Sequence, residues 1–255
     1  MERYYILEYG IPGVLRTPDS GQVRHVVLGV HGLGGCMEDE IQAGIAEEMA
    51  LFGAASVRFD FPCHGKNRGE ENVLALQPCV DALLAVASDA KARFPEVENL
   101  CIFATGFGAY VTLVALPQLQ ELPGAVRLVV QTPGVQMHDT LLAMLHMSQQ
   151  TLQAMQCRSL PAPKPFDVTY DLYEEMRSNV VLVNHEMPML ILHGEEDDYI
   201  NMSDIRAFRR LNEDAKLVII PGTSHRFMEE GAWDMVLDLT RDWFSYQQVL
   251  VTDWE

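Results

Sequence analysis

Six short runs of apolar and β-branched residues recur along the chain: HVVLGV at 25–30, ASVRFDF at 55–61, NLCIFAT at 99–105, VRLVVQT at 126–132, MPMLILH at 187–193 and AKLVIIP at 215–221. They are continuous rather than alternating, which is the pattern of strands covered on both faces. Segments of helical period separate most of them, at 39–53, 76–94, 109–116 and 203–211. Strand and helix in alternation predict an α/β fold with a mostly parallel sheet, right-handed crossovers and helices on both faces. YYILEY and GVLRTP, separated by Gly10 to Pro12, read as an antiparallel hairpin at the sheet edge, and 229–250 reads as a closing amphipathic helix.

Residues 134–186 break this rhythm. They hold no strong strand, but contain MHDTLLAMLHMSQQTLQAMQ, the proline-rich SLPAPKPF and VTYDLYEEMRSNVV. We read them as a helical cap inserted into a single domain spanning 1–255. Leu141, Met144, Leu145, Leu152 and Met155 fall on one helical face, while Met137, Met147 and Met176 add adaptable apolar surface, suited to core packing or to a lid over a pocket.

Charge and cysteine content narrow the partners. A net charge of −18 with no basic block argues against nucleic acid and anionic membranes, and no 18 apolar residues run together. The first residues lack a basic region followed by an apolar stretch, so no export is indicated. Five cysteines without CxxC spacing suit neither a disulfide framework nor a structural zinc site, and a reducing cytoplasm fits best. Cys101 reads as a small buried hydrophobe, and Cys36 and Cys63 as loop residues near the chemistry. There is no HExxH, Walker loop or dinucleotide fingerprint, so neither metal nor cofactor is expected. The oligomeric state is left open.

The chemistry-bearing residues gather at strand ends. His31-Gly32-Leu33-Gly34-Gly35 follows the first core run, where glycines let backbone N–H groups turn toward a carbonyl oxygen. Phe59-Asp60-Phe61-Pro62-Cys63-His64-Gly65 follows the second. Ala104-Thr105-Gly106-Phe107-Gly108-Ala109 ends the third and opens a helix that Pro117 is expected to stop. Small residues at 104, 108 and 109 suit a sharp strand-to-helix turn. Then come Leu192-His193-Gly194-Glu195-Glu196-Asp197-Asp198-Tyr199-Ile200 and Pro221-Gly222-Thr223-Ser224-His225-Arg226-Phe227.

In this order the segments resemble the α/β-hydrolase superfamily of serine esterases and lipases: an HGxGG-type loop, an FDxxGHG segment, the GxSxG elbow, HGxxDxxV and GxxH. The outline is most similar to bacterial cinnamoyl or feruloyl esterase-like hydrolases; dienelactone hydrolases and prolyl oligopeptidase-like peptidases share it more loosely. The resemblance implies an α/β-hydrolase fold, an oxyanion hole from Leu33 and Phe107 N–H, an acid at Asp197 with Asp198 as the alternative, and a base at His225. It also implies carboxylic-ester hydrolysis without a cofactor, on a small-molecule ester.

One departure dominates: the nucleophile position is Gly106. A glycine keeps the turn, which needs φ above zero, and removes the hydroxyl that would attack. Thr105 leaves the strand one position early and is a poor substitute. The chain as written is therefore expected to be inactive or weakly active; the alternative is a pseudoenzyme that binds a small apolar ester or carboxylate. His64 departs from the family context at Cys63 and Asn67 and is expected to fix its loop rather than act as base. His31 and His193 are expected to hold strand-end turns through hydrogen bonds.

Overall fold

A computed structural model describes residues 2–6, 10–19, 21–68, 72–97, 99–160 and 166–245. Within these, the strands are β1 (Glu2–Ile6), β2 (Pro12–Arg16), β3 (His25–Val30), β4 (Ala54–Phe59), β5 (Asn99–Thr105), β6 (Ala125–Gln131), β7 (Cys157–Leu160), β8 (Phe166–Thr169), β9 (Met189–Gly194) and β10 (Lys216–Ile220). The helices are α1 (Glu40–Leu51), α2 (Leu76–Arg93), α3 (Gly106–Leu119), α4 (Met137–Met144), α5 (Gln149–Met155), α6 (Tyr170–Ser178), α7 (Met202–Leu211) and α8 (Ala232–Phe244).

Each continuous apolar run becomes a strand that feeds two cores at once. In β3, Val26, Leu28 and Val30 pack on one face with Leu83 and Val86 of α2 and Val111 of α3. Val27 points the other way, into Ile45 and Met49 of α1 and Val236 and Phe244 of α8. β5 divides alike, with Leu100, Ile102 and Ala104 on the first face and Cys101 and Phe103 on the second. This period-two division explains why no polar residue interrupts β3 after His25 or the interior of β5. Each Val, Leu, Ile or Phe side chain among them, fully buried, contributes about 1.5–3 kcal/mol.

The large sheet has the order β1-β2-β4-β3-β5-β6-β9-β10. Pairing is parallel from β4 to β10, and β2 joins β4 antiparallel. β1 and β2 form the expected antiparallel edge hairpin, with Glu2 opposite Arg16. Leu7, Glu8 and Tyr9 of the expected first strand lie outside the described residues, as does 246–250 of the closing helix. The fold class read from the sequence is the one observed.

Two details differ. Pro117 does not stop α3, which runs on to Leu119 with the proline inside it. The cost is small because only the final turn lies beyond it, where one helical hydrogen bond is forgone.

The inserted segment is not wholly helical either. β7 and β8 pair as an antiparallel hairpin, Cys157 opposite Thr169 and Leu160 opposite Phe166, around 161–165, which lie outside the described residues. Three of the four β7 residues are exposed, so no burial pattern marks the strand in the sequence. The single apolar face expected there is also broken: α4 and α5 are separate helices, Leu141, Leu145 and Leu152 are buried, and Met155 is 48% exposed.

The insertion is fastened to the body by backbone and side-chain hydrogen bonds. Asp167 N–H donates to Asn72 O at 2.7 Å, and Leu74 N–H donates to Asp167 O at 3.1 Å. A Glu175 carboxylate oxygen accepts from Leu76 N–H at 2.8 Å, satisfying a first-turn donor of α2, and the Tyr110 hydroxyl donates to Met176 O and Asn179 O.

Candidate active site

The elbow is built by one residue in left-handed geometry. Thr105 ends β5 extended at φ −117, and Gly106 turns the chain into α3 with φ +49. A Cβ placed on Gly106 would find only Gly32 Cα, at 4.0 Å, so the direction a nucleophile would take is open. At Gly108 the reverse holds, because a Cβ there would collide with His31 O and Val30 O where α3 crosses the end of β3. Ala104 and Ala109 are fully buried at the same crossing. Phe107 N–H, in the first turn, has no acceptor within its own helix. Thr105 Oγ1 leans on the glycine loop, 3.5 Å from where a Cβ on Gly32 would stand.

The glycine loop is held by two buried histidines. His31 Nε2 accepts from Phe61 N–H at 3.1 Å, which places the proton on Nδ1, donated to Gly32 O at 2.8 Å. His64 Nε2 accepts from Gly34 N–H at 3.0 Å, and its Nδ1 donates to Pro62 O at 2.8 Å. Burial pushes both imidazoles down to about 4, so both are neutral at pH 7. They fix loops, as expected. Gly35 N–H goes to Gly32 O, leaving Leu33 N–H outside the loop's own hydrogen bonds.

Asp60 anchors the neighbouring turn. Its carboxylate accepts from Met37 N–H and Lys66 N–H, both at 2.7 Å, and its carbonyl accepts from the Asn67 amide. Burial raises this carboxyl despite those bonds. Cys63 holds φ +65, so the turn keeps a geometry that favours glycine although a side chain occupies it. Neither loop thiol is poised to react: burial pushes Cys36 up to about 11 and raises Cys63. Cys101, fully buried, is pushed up to about 12.

The tertiary structure brings the expected acid and base together. His225 Nδ1 lies 2.9 Å from Asp197 Oδ2 and 3.1 Å from Oδ1. The Asp197 side chain is wholly buried, whereas Asp198 is exposed, which settles which carboxylate faces the imidazole. Asp197 Oδ1 also accepts from Tyr199 N–H and Ile200 N–H at 2.9 and 2.8 Å. Burial alone would raise this carboxyl; the His225 hydrogen bond and charge, with those two amides, outweigh it and hold it below the usual carboxylate range. With Nδ1 donating to the carboxylate, Nε2 carries the lone pair.

Two features here were not legible in the sequence. Tyr199, 40% exposed, sets its ring 5.0 Å from that of His225. His193 makes no loop-holding bond of the kind expected: its buried Nδ1 has no hydrogen-bond partner and sits 3.8 Å from Asp197 Oδ2. The strand end aims the ring at the carboxylate rather than at a backbone carbonyl. Burial lowers the His193 imidazole below its ordinary value, and the Asp197 carboxylate beside it works the other way.

Gly194 gives the base loop its place. A Cβ on it would collide with Thr223 O and Ser224 O. Gly194→Ala is expected to push 222–225 away from β9, costing about 1–3 kcal/mol in denaturant unfolding and loosening the Asp197–His225 bond. The second effect is visible as loss of the downfield imidazole proton in NMR; an unchanged spectrum would count against this reading.

Among the described residues, no cluster of three or more His, Cys, Asp or Glu side chains could hold a metal ion, and no helix is long and apolar enough to cross a membrane. A cleft of about 310 Å³ lies between the end of α3 and 179–186, lined by Leu113, Pro117, Val181 and His185 among others. It contains neither the elbow nor the acid–base pair, and chemistry rather than concavity places the candidate site.

No protein-family model matches the sequence, and no curated protein matches it. Solved structures match over nearly the whole chain. Est1E from Butyrivibrio proteoclasticus, with ferulic acid bound, is similar at a TM-score of 0.81 and 20% identity, covering 96% of this chain and 98% of its own. A putative hydrolase from Agrobacterium vitis S4 is similar at 0.77 and 18%, covering 94% and 97%. The mouse alpha/beta hydrolase domain-containing protein 10 is similar at 0.75 and 13%, covering 96% and 99%. With the strand order, the parallel pairing and the elbow already described, these likenesses establish that the chain has the α/β-hydrolase fold.

Proposed function

We propose that this chain is a carboxylic-ester hydrolase scaffold whose acyl-transfer machinery is complete except for the nucleophile, with Gly106 at that position. The observation that carries the reading is the His225 Nδ1 bond to the buried Asp197 carboxylate at 2.9 Å. A buried carboxylate that orients an imidazole fixes its tautomer and stabilises its cation, roles that acyl transfer requires. Leu33 and Phe107 N–H are the oxyanion donors and the α3 N-terminus favours the developing negative charge. The substrate class is a small apolar ester, hydroxycinnamoyl esters among them, since the Butyrivibrio neighbour is described with ferulic acid bound. No cofactor takes part. The five cysteines, all free, suit a reducing cytoplasm.

A second reading, a pseudoenzyme that holds an ester or carboxylate without turning it over, draws on the absent hydroxyl at Gly106. The experiment that separates the two is Gly106→Ser assayed on short-chain and hydroxycinnamoyl aryl esters. A large gain supports the hydrolase scaffold; no gain in a folded variant removes it.

A further inference from the structure

Resting on that reading, we infer that the native chain hydrolyses activated esters directly, with a water molecule in the space beside Gly106 as nucleophile and His225 as its general base. Three observations converge. The Cβ direction at Gly106 is open, with only Gly32 Cα near, at 4.0 Å, although the left-handed turn is retained at φ +49. The His225 side chain is 26% exposed while its partner Asp197 is wholly buried, so the imidazole is anchored to a buried carboxylate and is itself partly open. Its Nδ1 is committed to the carboxylate, which leaves Nε2 as the accepting nitrogen. Ordered acid and base with no side-chain nucleophile is the equipment of general-base hydrolysis rather than of acyl-enzyme formation.

The step balances without a further reactant. Water passes a proton to His225 Nε2 as its oxygen bonds to the acyl carbon. The carbonyl π pair moves onto oxygen, where Leu33 and Phe107 N–H receive it. The intermediate then collapses: the bond from the acyl carbon to the leaving oxygen breaks, and that oxygen takes the proton back from His225. The products are carboxylic acid and alcohol, and no covalent enzyme intermediate forms.

The test is a series at one position on an aryl acetate and a hydroxycinnamoyl aryl ester, each protein assayed with and without prior treatment by an excess of a fluorophosphonate. Gly106 should retain turnover on the order of 10³–10⁴ over the uncatalysed reaction, with no burst. His225→Ala should lower it about 10²-fold. Gly106→Ala should lower it about tenfold or more by occupying the water's space. Gly106→Ser should restore burst kinetics and, unlike Gly106, be abolished by the fluorophosphonate. The Ser variant carries the same backbone strain as the Ala variant, so its folding controls for that of Gly106→Ala.

The inference is overturned if Gly106 shows no turnover, if the fluorophosphonate abolishes it, if His225→Ala leaves it unchanged, or if a folded Gly106→Ala matches it. Any of these with a gain in Gly106→Ser removes water attack and leaves the ester-hydrolase scaffold standing. No gain in Gly106→Ser removes the scaffold reading itself.

Discussion

Gly106→Ser is expected to raise kcat/KM on aryl esters by about 10³- to 10⁶-fold over the native chain. The range follows from the cost of deleting a triad nucleophile, about 10⁶-fold in an unrelated serine protease, set against the residual catalysis that binding and oxyanion donors sustain. The gain needs no rearrangement, because the Cβ of the new serine would meet only Gly32 Cα, at 4.0 Å. The cost is conformational: a side chain at φ +49 loses about 1–2 kcal/mol relative to glycine, visible as a lower urea midpoint. In the serine background, Asp197→Asn should cancel the gain by up to about 10⁴-fold, by favouring the wrong His225 tautomer. Burst and steady-state kinetics on one preparation decide the matter. A serine variant that folds, binds ester and shows no burst would contradict the assignment of position 106.

Acid should destabilise the protein well above the range in which its carboxylates titrate. His31 and His64 are held near 4 by burial, against about 6.5 in an unfolded chain. Between these values the unfolded state binds more protons, so stability rises with pH; it is full above about 6.5 and lost as pH falls toward 4. Each histidine accounts for on the order of 3 kcal/mol across that window, against a typical total of about 5–15 kcal/mol. His25, His185 and His193 are also lowered and act in the same direction. Asp60, raised by burial and set near His64, works the other way and offsets part of the loss as it protonates. Asp197, held low, contributes stability that goes only at more acid pH.

Urea midpoints at pH 7 and pH 4.5 measure the effect. His64→Gln supplies an acceptor for Gly34 N–H and a donor for Pro62 O without the proton uptake, and should flatten the pH dependence by up to one proton. An unaltered slope would show that His64 is not neutral by burial.

Much of this site was legible because its demands are local. The continuous runs at 25–30 and 99–105 announce strands buried on both faces, and each feeds two cores. The small residues around Gly106 announce a close crossing, and Gly108 meets His31 O there. What failed to show were features without local periodicity. β7 is short and mostly exposed and is held by pairing with β8, so hydrophobic patterning had nothing to detect. Pro117 was read as a stop because the rule for proline takes no account of how little helix lies beyond it.

The amino-acid order by itself determined the α/β alternation, the turn that only a glycine takes without strain at position 106, and an acid followed by a histidine at later strand ends. The tertiary structure alone decided that Asp197 rather than Asp198 faces His225, which backbone groups His31 and His64 hold and that both are neutral, that the Tyr199 ring lies against His225, and that the space beside Gly106 is open. The division has a physical cause. Backbone geometry and periodicity are set by neighbours a few residues away, whereas burial, tautomer and hydrogen-bond partner are set by residues about 30 apart in sequence, as Asp197 and His225 are.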